Sequence, residues 1–268
     1  MPELPEVETV KNTLKRQVVG KKIISVDVLY NMIDKPDIDT FKKLVKNQTI
    51  IDIKRRGKIL MFELNDYYLL SHLRMEGKYF IDGAITQHDH VVFHFDEGIL
   101  KYNDTRKFGR MYLIEKDKVY TEKPLSNLGL EPWDSNLTSD YLIDKLKSKR
   151  LPIKSILLDQ SIITGIGNIY ADEILFKSNI NPLKKGNEID KIDSNNIIKY
   201  TREILDAAIK LGGTTIKSYE SSRGVHGNFQ NNLLVHNHEG DKCPNCNSII
   251  IKIKVNGRGT YYCPKCQK

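Results

Sequence analysis

No cysteine occurs before residue 243, so no disulfide can staple the long stretch that precedes it. No apolar run approaches the roughly 18 residues that a membrane-spanning helix needs. The N-terminus reads Met1-Pro2-Glu3-Leu4-Pro5-Glu6-Val7-Glu8. It is acidic where a secretory signal requires a basic stretch. Internal repeats and low-complexity tracts are missing as well. These absences lead us to expect a cytoplasmic protein with no membrane partner. What is present fits a globular chain: 268 residues, 40% hydrophobic and 28% charged, enough to bury one or two cores unaided. Forty-two Lys and Arg against 34 Asp and Glu give +8. That balance suits a polyanionic partner, nucleic acid first and an anionic membrane second.

The four cysteines, Cys243, Cys246, Cys263 and Cys266, form C-x2-C, sixteen intervening residues, then C-x2-C. Two thiolate pairs at that spacing suit one tetrahedral Zn2+. Two disulfides are the metal-free alternative, which a reducing cytosol disfavours. Between the pairs, Ile249–Val255 and Thr260-Tyr261-Tyr262 read as strands around an Asn256-Gly257 turn. So short a hairpin cannot build its own core, and a structural zinc ion supplies the missing folding energy.

Elsewhere the period changes along the chain. Val7, Val10, Leu14 and Val18 recur at helical spacing, with Gly20 placed as a C-terminal cap. Alternation at Ile24, Val26, Val28 and Tyr30, and at Val91, Phe93 and Phe95, predicts strands. Further strands are expected at 49–54, 59–64, 67–73, 98–102 and 110–114, together a β-sandwich or flattened barrel. Helices are expected at 138–146, 153–158, 168–176 and 195–211, beyond a hinge at 124–132 that contains Gly129. The fold class is α+β.

Pro2 has chemistry to offer if Met1 is removed, since proline's secondary amine then begins the chain. An α-amino group with a pKa of about 7.7–8.0 is roughly a quarter neutral near pH 7.4. Condensed with an aldehyde, a secondary amine gives an iminium ion with no N–H to lose, a lasting electron sink. Glu3 and Glu6 flank it with carboxylates for proton transfer. The same residues are equally ordinary at the start of a helix.

The segment Met1-Pro2-Glu3-Leu4-Pro5-Glu6-Val7-Glu8-Thr9 resembles the N-terminal signature of the formamidopyrimidine-DNA glycosylases, which excise oxidised purines. Arg55-Arg56-Gly57-Lys58, His72-Leu73-Arg74-Met75, Asp104-Thr105-Arg106-Lys107-Phe108-Gly109, Gly165-Ile166-Gly167-Asn168-Ile169-Tyr170-Ala171 and the cysteine ribbon resemble that family in its order. The resemblance implies a β-sandwich with an N-terminal helix over residues 1–123. It also implies a helical domain with a helix–two-turns–helix DNA-binding element over 133–234, and a zinc finger over 235–268.

It further implies roles, position by position. Pro2 would attack C1′ of the damaged nucleotide and Glu3 would serve as acid and base in opening the sugar. Lys58 would donate a proton in β-elimination, although in the run Lys54, Arg55, Arg56, Lys58 it could equally face solvent. Arg258, on the ribbon turn, would clamp phosphates and assist δ-elimination, as a guanidinium fork can. Lys58, His72, Asn168 and Arg258 would grip the DNA backbone, with His88, Arg106 and Arg150 as further contacts. Arg150 lies in a Lys-rich stretch where the correspondence can slip. Met75, Arg106 and Phe108 would fill the gap left by an extruded base. Taken without the family, Met75 and Phe108 read as core, His72 as a satisfied strand histidine and Asn168 as a helix cap.

Two stretches depart from the family pattern. The loop over 214–229 reads Lys217-Ser218-Tyr219-Glu220-Ser221-Ser222-Arg223-Gly224, which leaves the lesion range open. Val235-His236-Asn237-His238-Glu239-Gly240 replaces a more usual Tyr-Gly-Arg-like stretch; four cysteines already complete a tetrahedron, so neither histidine is counted as a ligand. The expected function is a monomeric base-excision-repair glycosylase and abasic-site lyase acting on duplex DNA. The related endonuclease VIII branch, which prefers oxidised pyrimidines, typically begins Pro-Glu-Gly-Pro-Glu instead. A non-catalytic zinc-ribbon DNA-binding protein would leave Pro2, Glu3 and Lys58 without a purpose.

Overall fold

The structure, a computed structural model, describes residues 1–214 and 227–268. The chain divides into two compact units, Met1–Ser126 with Gly212–Asn228, and Asn127–Leu211 with Phe229–Lys268. In the first, α1 (Leu4–Val18) forms because Val7, Val10, Leu14 and Val18 make one buried stripe, with Pro5 in its opening turn. It stops where Gly20 takes φ +87°, a left-handed conformation open to glycine without steric cost.

The strands of this unit are β1 (Ile23–Val28), β2 (Ile33–Lys35), β3 (Asp52–Arg56), β4 (Ile59–Glu63), β5 (Tyr67–His72), β6 (Lys78–Ile81), β7 (Asp89–Phe95), β8 (Ile99–Asn103) and β9 (Arg110–Glu115). They build a four-stranded sheet ordered β1-β7-β8-β6 and a five-stranded sheet ordered β2-β9-β5-β4-β3. Val26, Phe93, Leu100 and Tyr102 from one sheet meet Ile53, Phe62, Leu69 and Leu113 from the other in a single buried cluster. This is the expected sandwich with its N-terminal helix.

Three elements escaped the sequence reading: β2, β6 and a helix, α2 (Ile38–Val45). The two strands, of three and four residues, are too short for alternation to announce them. The Asp37 side chain caps α2 by accepting from the Thr40 amide at 2.9 Å, and Phe41 and Val45 reach the sandwich core. The strand expected at 49–54 instead runs over β3, because Thr49 is drawn into an isolated bridge with Lys22.

The second unit holds α3 (Ser139–Leu146), α4 (Ile153–Leu157), α5 (Asn168–Lys177) and α6 (Lys191–Lys210), all four of the helices read from the sequence. Helix α6 starts earlier than the expected 195 because Asp190 caps it, accepting from the Asp193 amide at 2.8 Å. Strands β10 (Ile251–Val255) and β11 (Arg258–Tyr262) pair from Ile251–Tyr262 to Val255–Arg258. The turn between them places Asn256 at φ +46° and Gly257 at φ +76°, as a two-residue hairpin turn demands. Among the described residues no helix is long and apolar enough to cross a membrane.

Because Phe41 is fully buried and lies edge-on to Phe93 with ring centroids 6.5 Å apart, α2 is part of the core. Phe41→Ala should therefore cost about 3–5 kcal/mol in urea denaturation. A loss under about 1 kcal/mol would make α2 an appendage.

Candidate active site and metal centre

The start of the chain is held by one carboxylate. Glu6 Oε2 accepts from the Glu3 amide at 2.8 Å, while its Oε1 accepts from the Thr214 amide at 2.8 Å and hydroxyl at 3.1 Å. Pro2, Glu3 and Glu6 are all buried. Burial lowers the pKa of the N-terminal amine on Met1 below its ordinary 8.0. Lys58 pushes the same way, and Glu3, Glu6 and Glu76 oppose. Two buried acidic side chains and a buried lysine thus act on the amine of Met1, which is itself 38% exposed.

Lys58 does not face solvent with its basic neighbours: it is only 6% exposed. It sits in the two-residue turn between β3 and β4, where Gly57 takes φ +56°. Arg55 fixes that turn, its Nη1 donating to the Gly57 carbonyl and its Nε to Glu8 Oε2, both at 2.8 Å. Burial would raise the Glu8 pKa, but hydrogen bonds from Lys11 and Arg55 hold it below the usual value. Arg55 and Glu8 were missed in sequence because 47 residues separate them and only the folded sheet brings them together.

His72 closes β5, half-buried, and its Nδ1 accepts from the Arg74 amide at 3.1 Å. Burial first, then the charges of Arg74 and Lys58, push its pKa down to about 3. The ring is therefore neutral at physiological pH, with Nε2 carrying the hydrogen.

The next turn, 73–77, carries Met75, which is half-buried rather than core. Phe108 is 48% exposed on the turn 104–109, with the Arg106 guanidinium 5.0 Å from the centre of its ring. An exposed aromatic needs support, and the fully buried Asp104 gives it. Its carboxylate accepts from the amides of Arg106, Phe108 and Gly109 at 3.0, 2.9 and 2.8 Å. His88 is half-buried beside this turn, its carbonyl taking the Asp104 amide at 3.0 Å. Asp104 could have been found in sequence, since an Asp opening a turn bonds the amides that follow it.

In the second unit, Gly167 caps α5, so Asn168 is the first helical residue and not the cap. Its Nδ2 donates to the Gly259 carbonyl at 3.0 Å, next to Arg258. Lys154 Nζ reaches that same carbonyl at 2.9 Å and Asp172 Oδ1 at 2.6 Å, all but fully buried. Gln160 sets the glycine turn before α5, donating to the Ile166 carbonyl at 2.9 Å and accepting from the Gly165 amide at 2.8 Å. Arg258 is exposed at the start of β11, and Arg150 is exposed between α3 and α4. The structure thus brings Asn168 to the residue beside Arg258.

The four cysteine sulfurs lie within 4.8 Å of one another, with Cys243–Cys266 at 3.8 Å and Cys246–Cys263 at 3.5 Å. Ligands about 2.3 Å from a tetrahedral zinc stand roughly 3.8 Å apart, whereas a disulfide needs about 2.05 Å. The set fits one structural Zn2+ and no disulfide. His236 and His238 are engaged elsewhere, their Nδ1 atoms 2.7 Å from Asp172 and 2.8 Å from Asp241. Of the loop expected over 214–229, residues 215–226 lie outside the described residues.

Family models for the formamidopyrimidine-DNA glycosylase N-terminal domain and H2TH domain match residues 1–111 and 128–220. The zinc finger found in FPG and IleRS matches residues 240–268. The formamidopyrimidine-DNA glycosylase of Oceanobacillus iheyensis is 47% identical over 273 residues, covering 100% of this chain and 98% of its own. That of Bacillus cereus is 45% identical over 273 residues, covering 100% and 99%. Among solved structures, Lactococcus lactis Fpg with abasic-site DNA superposes with a TM-score of 0.93 at 42% identity, covering 99% of each chain. MutM bound to DNA containing carbocyclic 8-oxo-G gives 0.92 at 41%, covering 100% of each.

Metal analysis should find one zinc per chain. Chelation or Cys246→Ala should abolish DNA binding while the sandwich stays folded, because the ribbon lies in a different compact unit. A zinc-free preparation that still binds DNA would contradict the assignment. His72 makes a separate case. Its lowered pKa means that its contribution to folding is fully present above about pH 6.5 and is lost on acidification towards pH 3. Its ring proton shifts should stay flat between pH 5 and 8, and a midpoint near 6.5 would show that the ring is solvated.

Proposed function

Because the chain belongs to the formamidopyrimidine-DNA glycosylase family, we propose that it excises oxidised purines from duplex DNA and cleaves the abasic site left behind. The observation that carries this reading is the buried cluster at the start of the chain, Pro2, Glu3 and Glu6, whose neighbouring amine also feels the charges of Lys58 and Glu76. We place it in the cytoplasm as a monomer. Catalysis falls to 1–123, the helix–two-turns–helix element to 133–234 and the zinc finger to 235–268.

With Met1 removed, the Pro2 nitrogen attacks C1′ and the oxidised base departs with its bonding pair. Glu3 protonates the sugar ring oxygen as the ring opens, leaving an iminium ion between Pro2 and C1′. That cation acidifies the 2′ hydrogen. Loss of the 2′ proton expels the 3′ phosphate in β-elimination, with Lys58 as the proton donor. A second, δ-elimination expels the 5′ phosphate, assisted by Arg258, and hydrolysis frees Pro2. The burial of Pro2 beside Glu3 supports the first step, since a desolvated amine favours its neutral, nucleophilic form.

DNA is held by Lys58, His72, Asn168 and Arg258, with His88, Arg106 and Arg150 as further contacts. Neutral His72 offers an N–H to phosphate without adding charge beside the amine. Met75, Arg106 and Phe108 occupy the space vacated by the extruded base, which suits an exposed ring on a braced turn.

Borohydride should trap a covalent complex with an 8-oxoguanine duplex, attached at Pro2. A Pro2→Gly protein that traps at full yield through Lys58 would sink the assignment. Phe108→Ala should slow excision of the paired lesion about thirtyfold, if the ring contributes about 2 kcal/mol to unstacking. A preformed abasic site has no base to extrude, so its cleavage should change much less. Equal slowing of both substrates would make Phe108 a packing residue.

A further inference from the structure

The turns 73–77 and 104–109 lie far apart in sequence, yet the structure joins them twice. The first joint is buried. Tyr102 is fully enclosed, and a Cβ placed on Gly77 or Gly109 would lie only 2.9 or 2.7 Å from its Cζ and overlap its hydroxyl. Both glycines therefore let their turns close onto one phenolic oxygen. The ring cannot retreat: it packs edge-on against Tyr79 at 5.2 Å between centroids, and the Tyr79 hydroxyl donates to Ser71 Oγ at 2.8 Å. The second joint is at the surface, where the Thr105 hydroxyl donates to Glu76 Oε2, a direct bond from one turn to the other.

Met75 rides on the first turn, and Arg106 and Phe108 ride on the second. Each turn is only a few residues long and projects towards solvent, so a load on its tip would deflect it unless something behind it resists. Fastened at both the buried and the exposed end, the two turns resist together.

We infer that Tyr102 and the Thr105–Glu76 pair are positioning residues that lock the two turns into one wedge, so that Met75, Arg106 and Phe108 enter DNA as a unit. The inference rests on the gap-filling reading of those three side chains.

The test uses the full zinc-loaded chain and two variants, Thr105→Val and Tyr102→Phe. Single-turnover rates are measured for excision of 8-oxoguanine opposite cytosine and for cleavage of a preformed abasic site, with Phe108→Ala as reference. Each variant should slow excision roughly three- to tenfold and leave abasic cleavage within about twofold. Combining Tyr102→Phe with Phe108→Ala should slow excision by less than the product of the two single effects, because one of the three side chains to be positioned is gone. Should Tyr102→Phe fail to fold, Thr105→Val carries the test, since its hydroxyl lies at the surface.

Wild-type excision in both variants beside a slow Phe108→Ala would overturn the joint and spare the wedge. Equal slowing of both substrates, or additive effects in the double variant, would assign Tyr102 to packing and overturn the joint as well. If Phe108→Ala slows both substrates alike, the wedge reading fails and this inference with it.

Discussion

Everything proposed for the first unit depends on where the chain begins, and the Glu6 carboxylate decides that. A terminus ordinarily frays, because nothing ties its first residues down. Here Glu6 takes the Glu3 amide on one oxygen and Thr214 on the other. Residues 208 apart in sequence thereby meet on a single side chain, and the same region is closed to solvent. Desolvation then lowers the pKa of the Met1 amine, and the charge of Lys58 acts the same way. Carboxylates nearby pull the other way, so burial wins against three opposing charges.

The second unit uses buried charge differently. Asp172 receives Lys154 on one oxygen and His236 on the other, and Glu173 accepts the amides of Leu234, Val235 and His236 at 2.9–3.0 Å. Burial raises the Glu173 pKa even though those three donors favour its charged form. Removing one partner from such a network would strand a charge in a dry interior, which costs far more than the pair contributes. The network ties α4 and α5 to the segment leading into the metal site, and Lys154 carries it on to the Gly259 carbonyl. His236, which stands out in sequence as a spare metal ligand, is used as a structural donor to Asp172 and rests edge-on against Tyr261 at 4.9 Å between centroids.

What could be read in the sequence was whatever local rules govern. Gly20 and Asn256-Gly257 sit at positive φ, and the cysteine spacing gives one metal site, all as expected. Of the charges that act on the amine, the family likeness pointed to Glu3 and Lys58, while Glu76 went unread. Sequence could not tell that Lys58 turns inward while Arg55 beside it reaches Glu8, because a basic run carries no mark of which member faces the core. Nor could it reveal Tyr102 behind two glycines, since that contact exists only once β8 lies between the turns it separates. Short strands such as β2 and β6 fell below the length at which a period can be seen.

The ribbon's pairing from Ile251–Tyr262 to Val255–Arg258 fixes more than its shape. Side chains in a strand alternate between faces, so a single residue added to either arm would turn every later position over. Tyr261 would leave the buried cluster it shares with Cys243 and Phe176, and Arg258 would change sides relative to the Gly259 carbonyl that Asn168 and Lys154 grasp. An insertion within one arm keeps the register only if the other arm lengthens with it, whereas the turn and residues 247–250 lie outside that constraint. The two paired arms act as a ruler as much as a sequence.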